Sequence, residues 1–593
     1  MSEHDSGART SVGLIDIATR VPGLLTDAPV MIRGVLTGLL ARPTSKTSIG
    51  KVFQERAARF GDRVFIRFGE QQLTYREANA TANRYAAVLA ARGVGRGDVV
   101  GVMLRNSPNA VLMMLAAVKC GAVAGMLNYH QRGEVLAYSL GLLDAKVLVV
   151  ESDLVETVDE CCAPGVAPTT IEEVERLAAT APTTNPASAS AVLAKDTAFY
   201  IFTSGTTGHP KASVMTHRRW LAALGAFGGL GLRLKGSDTL YSCLPLYHNN
   251  ALTVAVGSVI NSGSTLALGK SFSASKFWDE VIASRATAFI YIGEICRYLL
   301  NQPPKPTDRA HKVRLIAGNG LRPEIWDEFT TRFGIARVCE FYAASEGNVA
   351  FINIFNVPKS TGVAPMPLAY VEYDPDTGAP LRGEDGRVRR VPSGEPGLLL
   401  SPVNRLQPFD GYTDPTASEK KLVRNAFREG DCWFNTGDVM SPQGMGHAAF
   451  VDRLGDTFRW KGENVATTEV ERALGSDKSV EECTVFGVEI PRTGGRAGMA
   501  AVKLRDGAEF DGKALAHTVY DQLPTYALPL FLRVVEAMEH TTTFKSRKVA
   551  LRDEAYGRDI EDPLYVLAGR DEGYVPFYDA YPDEVAAGKR PQG

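Results

Sequence analysis

Alternation constrains the fold of most of this chain. From Lys51 to His130 short apolar runs alternate with longer amphipathic ones. A helical stretch reaches Phe60, Arg63 to Phe68 is extended, a long helix covers Tyr75 to Arg92, Val99 to Leu104 is apolar, a helix covers Asn109 to Cys120, and Ala122 to Leu127 is apolar again. Strand and helix in this order point to parallel strands, because a parallel pair needs a long crossover and a helix usually supplies it. The pattern resumes at Lys146 to Glu151, crosses a Pro/Ala/Ser/Thr-rich loop at Thr180 to Ser190, and continues through Ala198 to Phe202, Leu240 to Leu244, Thr265 to Leu268, Ala288 to Ile292 and Val313 to Ile316. Between Tyr373 and Ser401 short extended pieces with Gly and Pro turns suggest a small antiparallel sheet or barrel. Past Gly455, helices at Thr468 to Leu474 and Lys513 to Gln522 and strands at Glu482 to Val488 and Met499 to Leu504 make a compact α+β unit. The expected class is α/β, with an amphipathic segment at 1–50, a large domain of mostly parallel, helix-covered sheets and a small barrel-like part at 51–454, and a small α+β domain with a tail at 455–593.

The 65 basic and 67 acidic residues nearly cancel, so no basic stripe for nucleic acid is expected. Eight cysteines include one sequential pair, Cys161 and Cys162, with no CxxC and no metal-type spacing, which reads as reduced thiols. Met1 to Arg9 is polar and followed by no compact apolar core or cleavage site, so a cytoplasmic location is expected. Thr239 to Gly269 lacks charge but is broken by Pro245, His248, Asn249, Asn250 and several glycines, which suits an enzyme interior better than a bilayer span. Val12 to Leu40 allows two readings: a helix pair packed on its own domain, or a segment lying peripherally on the inner face of the cell membrane.

The most chemically specific stretch is Tyr200-Ile-Phe-Thr-Ser-Gly-Thr-Thr-Gly-His-Pro-Lys211. A strand runs into two glycine turns, so backbone N–H groups can wrap an anion, the hydroxyls of Thr203, Ser204, Thr206 and Thr207 can donate to it, Gly205 and Gly208 permit the close approach, and Lys211 supplies charge. A polyphosphate fits that chemistry. The Walker spacing is absent; Gly263 and Gly269-Lys270-Ser271 miss it by one residue and enclose apolar residues where a loop is required. No GxSxG elbow offers an esterase nucleophile.

Thr203 to Lys211 resembles the phosphate-loop signature of the adenylate-forming superfamily of acyl-CoA synthetases, luciferases and peptide-synthetase adenylation domains. Tyr342-Ala-Ala-Ser-Glu346 is similar to its aromatic-to-acid motif, Asn435-Thr-Gly-Asp438 to its ribose motif, and Asp452-Arg453 to its junction motif. Tyr291 to Leu300 and Arg459 to Glu471 resemble the branch of fatty acid transport proteins and very-long-chain acyl-CoA synthetases. The resemblance implies an adenylation domain with a mobile C-terminal lid, and ATP, CoA and a fatty acid as substrates with Mg²⁺ as cofactor. It places Tyr342, Ala343 and Ser345 with the Gly318-Asn319-Gly320 turn around the adenosine. It gives Glu346 to the metal, Asp438 and Arg453 to the ribose, and His248, Tyr291 and Gly293 to the vicinity of the acyl group.

Activating a carboxylate needs charge stabilisation at the α-phosphate. Thr543-Phe-Lys545-Ser-Arg-Lys548 resembles the family's C-terminal lysine motif, which implies Lys545 as the catalytic cation, with Lys548 as its rival. Phe544 stands where most relatives have Gly, Ala343 and Ser345 replace the commoner Gly and Thr, and Gly455 takes the hinge place two residues after Arg453. Thr468 and Glu471 have the spacing of a capping box. The implied activity is fatty acid:CoA ligation through an acyl-adenylate. Loading of a carrier-protein thiol and membrane-associated fatty acid uptake are the alternatives, and the oligomeric state is open, a homodimer included.

Overall fold

The computed structural model describes residues 11–587 apart from 162–166, 204–209, 375–376, 406, 455–457, 461–462, 492, 494, 539–547 and 558–559. Its contacts divide the chain into two units: Met1–Pro365, Val403–Leu422 and Gln443–His447 form one, and Met366–Pro402, Val423–Pro442 and Ala448–Gly593 the other.

The first unit contains two sheets of the expected βαβ kind. One has the spatial order Pro168–Thr170, Val147–Val150, Val99–Met103, Val123–Met126, Thr197–Thr203, Lys211–Thr216; all neighbours are parallel except the last pair, which turns back antiparallel. In the other, Arg337–Ala343, Leu315–Asn319, Ala288–Ile292, Thr239–Ser242, Thr265–Leu268 and Val64–Phe68 are parallel in that order. Antiparallel strands flank it, Gln71–Thr74 at one end and Ala350–Ile352 with Gly362–Val363 at the other. The helices read from periodicity appear with local caps that explain their bounds. Tyr75–Ala91 starts at a reciprocal Thr74–Glu77 capping box. Pro108–Cys120 starts at Ser107, whose hydroxyl accepts from the Ala110 N–H, and ends at Gly121 with φ +76°. This second helix is buried almost all round, as its near-absence of charge requires.

Two stretches have wide π-helical turns, Leu224–Leu232 and Asn250–Ala255, both largely buried. Both charge-free stretches pack inside the first unit, and the second lies within Thr239 to Gly269, which agrees with reading that segment as interior.

In the second unit, Ala369–Val371, Gly397–Pro402 and Cys432–Gly444 pair antiparallel, and bridges 371–390, 373–380 and 382–388 give the Tyr373–Ser401 stretch its expected antiparallel character. A five-stranded sheet follows in the order Val480–Glu489, Arg496–Leu504, Phe531–Val534, Leu564–Gly569, Gly573–Pro576, packed by helices Thr467–Gly475 and Gly512–Gln522. One local expectation is corrected. The N-cap of the first of these helices is Ala466, not Thr468. Asp452 caps it instead: one carboxylate oxygen accepts from the Thr467 N–H at 2.7 Å and from its hydroxyl at 3.2 Å. Thr468 donates its hydroxyl to the Val451 carbonyl at 2.8 Å.

Candidate active site

Ser204, Gly205, Thr206, Thr207 and Gly208 lie outside the described residues, as do Gly455 and Lys545; the strands on either side of the first group are described. Thr203 and Lys211 are paired at their ends, with the Thr203 hydroxyl 3.4 Å from the Lys211 carbonyl. The Lys211 ammonium lies 5.7 Å from the centre of the Tyr412 ring. Tyr412 is held there because its chain runs beside the return strand: the Val214 N–H donates to the Gly411 carbonyl at 3.0 Å and the Thr413 N–H to the Ala212 carbonyl at 2.9 Å.

The aromatic-to-acid motif is tied to that same return strand. The Ser213 hydroxyl donates to the Ser345 carbonyl at 2.7 Å. Arg219, one turn into the helix His217–Ala223, donates to the carbonyls of Val214 at 3.1 Å, Ala344 at 3.2 Å and Gly347. One guanidinium thus fixes both ends of the 344–347 turn to the strand leaving the phosphate segment, and Glu346 is 5% exposed within that turn. Burial lowers the Arg219 pKa, while the fields of Asp410 and Glu346 oppose that shift. Tyr342 is buried near the end of its strand, its ring 6.1 Å from that of Phe351, and Ala343 after it is exposed.

The Gly318-Asn319-Gly320 turn closes a second knot in the same unit. Tyr291 pairs with Gly318, and a Cβ at Gly318 would lie 2.7 Å from the Tyr291 ring. A Cβ at Gly293 would overlap the Gly320 carbonyl, so only glycine fits where that helix begins. Gly320 itself has φ +88°. Beneath the turn, Glu340 accepts from the Tyr291 hydroxyl and from the Gly320 N–H. Burial pushes its carboxyl up to about 8, against hydrogen bonds from Tyr291, Gly320 and Leu321 that pull it down. From the side, Asn250 donates to the Tyr291 carbonyl at 3.0 Å and to the Asn319 side-chain oxygen at 3.2 Å. Half-buried His248 lies two residues earlier, its ring 4.5 Å from Tyr247, and its carbonyl accepts from Leu252. Tyr291 is wholly buried, so its polar end serves Glu340.

The ribose motifs come together in the second unit. Gly437, at φ +76°, donates to the Asn435 side chain at 2.9 Å, and the Asp438 N–H donates to the Thr436 hydroxyl at 3.1 Å. This tight turn leaves the Asp438 carboxylate 3.8 Å from the half-exposed Arg453 guanidinium. The Leu454 N–H donates to the Gly437 carbonyl at 2.7 Å, fixing the chain after Arg453 against that turn. Lys548 is committed elsewhere: its ammonium lies 2.9 Å from the buried Glu471 carboxylate and 3.1 Å from the Thr467 hydroxyl.

Three of these residues escaped the sequence reading. Arg219 looks like any basic residue on an amphipathic helix, and Tyr412 sits in a loop without a motif. Glu340 did leave a signal, a lone carboxylate inside the apolar run Val338-Cys339-Glu340-Phe341.

The model of the AMP-binding enzyme family matches residues 53–401, and that of the AMP-binding enzyme C-terminal domain matches 469–545. The chain belongs to the AMP-binding enzyme family. It is 80% identical, over all of both chains, to a protein of Mycobacterium tuberculosis named medium/long-chain-fatty-acid–CoA ligase FadD6. It is 38% identical to long-chain fatty acid transport protein 2 of Rattus norvegicus over 89% of this chain and 88% of that one. Its fold matches the crystal structure of ATP-bound MatB from Rhodopseudomonas palustris with a TM-score of 0.73 at 24% identity, covering 86% of this chain and 99% of that one. The large α/β part and small C-terminal α+β part read from the sequence are the architecture of this family of AMP-binding enzymes.

Proposed function

We propose that the chain is an ATP-dependent fatty acid:CoA ligase working through an acyl-adenylate. What carries the reading is the full-length identity to a named medium/long-chain fatty acid:CoA ligase. The site geometry supports it, since Arg219 and Ser213 bind the Glu346 turn to the strand that leaves the Ser/Thr/Gly-rich phosphate segment. In the first half-reaction a carboxylate oxygen of the fatty acid attacks the α-phosphorus of ATP, and the bond to the departing pyrophosphate breaks. In the second, the CoA sulfur attacks the acyl carbonyl, its proton goes to solvent or to a base, and AMP leaves with the bonding electrons. Neither step needs a protein nucleophile, consistent with the lack of a nucleophile elbow.

Each group then has a task. Thr203 and Lys211, with the residues between them, receive the phosphates. Tyr342 and the Gly318–Gly320 turn receive the purine, and Asp438 accepts from the ribose hydroxyls beside Arg453. Lys545 contacts the α-phosphate during adenylation, and Gly455 supplies the pivot for the lid. Glu346 suits Mg²⁺: it is a hard oxygen donor, among the described residues no cluster of His, Cys, Asp or Glu forms a metal cage, and a nucleotide-borne ion takes most of its oxygens from phosphate and water. When bound, that ion neutralises phosphate charge.

The test is pyrophosphate release by the purified chain across a series of fatty acid lengths, with CoA, with a carrier protein, and with neither. Acyl-CoA formation peaking on medium or long chains is expected. Product on the carrier protein alone would replace CoA as acceptor, and no fatty-acid-dependent pyrophosphate would overturn the reading.

A further inference from the structure

The N-terminal helix Ala28–Leu40 is amphipathic in the reverse sense for a soluble surface. Its small residues face inward: a Cβ on Gly34 would lie 2.6 Å from the Gly229 Cα, and one on Gly38 would lie 3.4 Å from the Ala222 Cα. Glycine at both places lets this helix lie backbone to backbone on the buried segment Leu224–Leu232 and on the end of helix His217–Ala223 before it. Its large residues face out, with Leu39 68%, Leu40 63% and Ile32 59% exposed and Val35 and Leu36 beside them. Leu14, Ile15 and Leu25 of the preceding helical turns are also more than 70% exposed. Of the fourteen large apolar side chains exposed among the described residues, nine lie between Leu14 and Leu40. A monomer seldom shows water so concentrated an apolar face.

A cluster of like charge borders that face. Arg33 lies on the same helix, between the inward glycine row and the outward leucines, and Arg56 reaches Thr37 across from helix Ile49–Phe60 at 3.5 Å. Burial, then the fields of Arg59 and Arg63, lower the Arg33 pKa; burial, then Arg33, act the same way on Arg56. Arg59 and Arg63 are exposed. Among the described residues none of the four has a carboxylate within ion-pair distance, and nearby Asp62 is taken by Arg76 at 2.9 Å. Glu55, exposed, acts on Arg56 only through its field. Four guanidinium groups are thus held together with no carboxylate paired to them among the described residues.

We propose that the outward face of Ala28–Leu40 and the cluster Arg33, Arg56, Arg59 and Arg63 form a docking surface for an anionic lipid bilayer. The charge sets the partner: a second copy would bring the same four cations to the same face, whereas an anionic headgroup layer supplies both the missing counter-charge and an apolar phase below it. The helix lies on the bilayer and does not cross it. Thirteen residues of helix span about 20 Å against a hydrocarbon core of about 30 Å, the preceding helical stretch is bent from it by 93°, and its glycine face is already occupied by protein. This goes beyond ligation and gives a chain that acts on fatty acids a means of meeting them where they partition.

The experiment is cosedimentation of the full chain with vesicles of phosphatidylcholine alone and of phosphatidylcholine with phosphatidylglycerol, at rising NaCl. Binding to the anionic vesicles only, weakened by salt, is expected. The double variant Arg59→Gln/Arg63→Gln should lose about thirty-fold in partitioning, the usual contributions of two basic side chains near an anionic surface taken together. Leu36→Ser/Leu39→Ser should lose retention on the same vesicles while keeping the melting profile close to wild type, because half or more of each side chain is exposed. No vesicle binding, equal binding to both compositions, or an arginine variant that partitions like wild type would overturn the proposal. So would a concentration-dependent dimer dissolved by the leucine variant, which would make the occupant a second copy. Vesicle binding is read without turnover, so its failure and a failure of the ligase reading are separate results.

Discussion

Glu340→Gln, followed against pH, separates the carboxyl beneath the Gly318–Gly320 turn from every other titrating group. Both oxygens of Glu340 accept hydrogen bonds, one from the Tyr291 hydroxyl and one from the Gly320 N–H, and burial pushes its pKa from the usual 4.5 to about 8. The folded chain therefore binds this proton more tightly than the unfolded one. Its contribution to stability is complete below pH 4.5 and is lost as pH rises through about 8. At about 1.4 kcal/mol per pH unit, a displacement from 4.5 to about 8 corresponds to roughly 5 kcal/mol, an upper figure because local relaxation and entering water reduce it. Glutamine has the shape of the protonated acid: its oxygen can accept from Gly320 and its amide can donate to the Tyr291 oxygen. The variant should match wild type in melting temperature near pH 4 and exceed it increasingly up to about pH 8, where the difference levels off, and the wild-type ATP KM should rise near pH 8, where the folded carboxyl ionises, more than that of the variant. Thermal melts and initial rates at matched pH provide both curves. Since all other groups titrate in both proteins, parallel melting curves would refute the argument and place the Glu340 carboxyl in its ordinary range.

The remaining predictions concern space and charge. Gly293→Ala should abolish adenylation in protein that still purifies, because its methyl overlaps a backbone carbonyl that no rotamer change can move, while Gly23→Ala, with open space around it, should leave melting within about 0.5 kcal/mol of wild type. Lys545→Ala should lower pyrophosphate exchange by ~10²–10³-fold with little change in melting, whereas Lys548→Met should lower melting first, because stranding the buried Glu471 carboxylate costs about 3–5 kcal/mol. The opposite pattern in melts and exchange would exchange the roles of the two lysines. Arg219→Met should release the turn around Glu346, so that adenylation falls and is partly restored by raised Mg²⁺; activity unchanged at low Mg²⁺ would show that the clamp does not position this carboxylate.

The parts of the fold that could be read from the sequence are those whose cause is local. Ser107 before Pro108, Gly121 after Cys120 and the Thr74–Glu77 pair are signals contained within one turn of the helix they bound, and the structure uses them all. The wide turns of Leu224–Leu232 were not readable, because a run of Leu, Gly and Phe without charge has no polar face from which to count a period. Thr468 failed as a cap for a tertiary reason. Asp452, fifteen residues upstream, already satisfies the Thr467 N–H, and no local spacing encodes that. Arg219 is invisible on the same grounds, since its three carbonyl partners include two that lie more than 120 residues away.

The two lysines of the C-terminal motif show how geometry narrows a choice that spacing leaves open. Two residues, Ser546 and Arg547, separate them, and by spacing either could be named as the cation of the first half-reaction. Lys548 is half-buried and bound to a carboxylate that is itself 4% exposed and accepts from the Val485 N–H at 3.0 Å. To reach a phosphate it would have to give up its ion pair with the buried Glu471 carboxylate, at a cost comparable with the transition-state stabilisation it was meant to supply. Its hydrogen bond to Thr467, which Asp452 in turn holds, places it in the network that joins the first helix of the small domain to the Asp452–Arg453 segment. A lysine so placed fixes the frame from which the motif leaves, which supports the proposal that Lys545 supplies the cation.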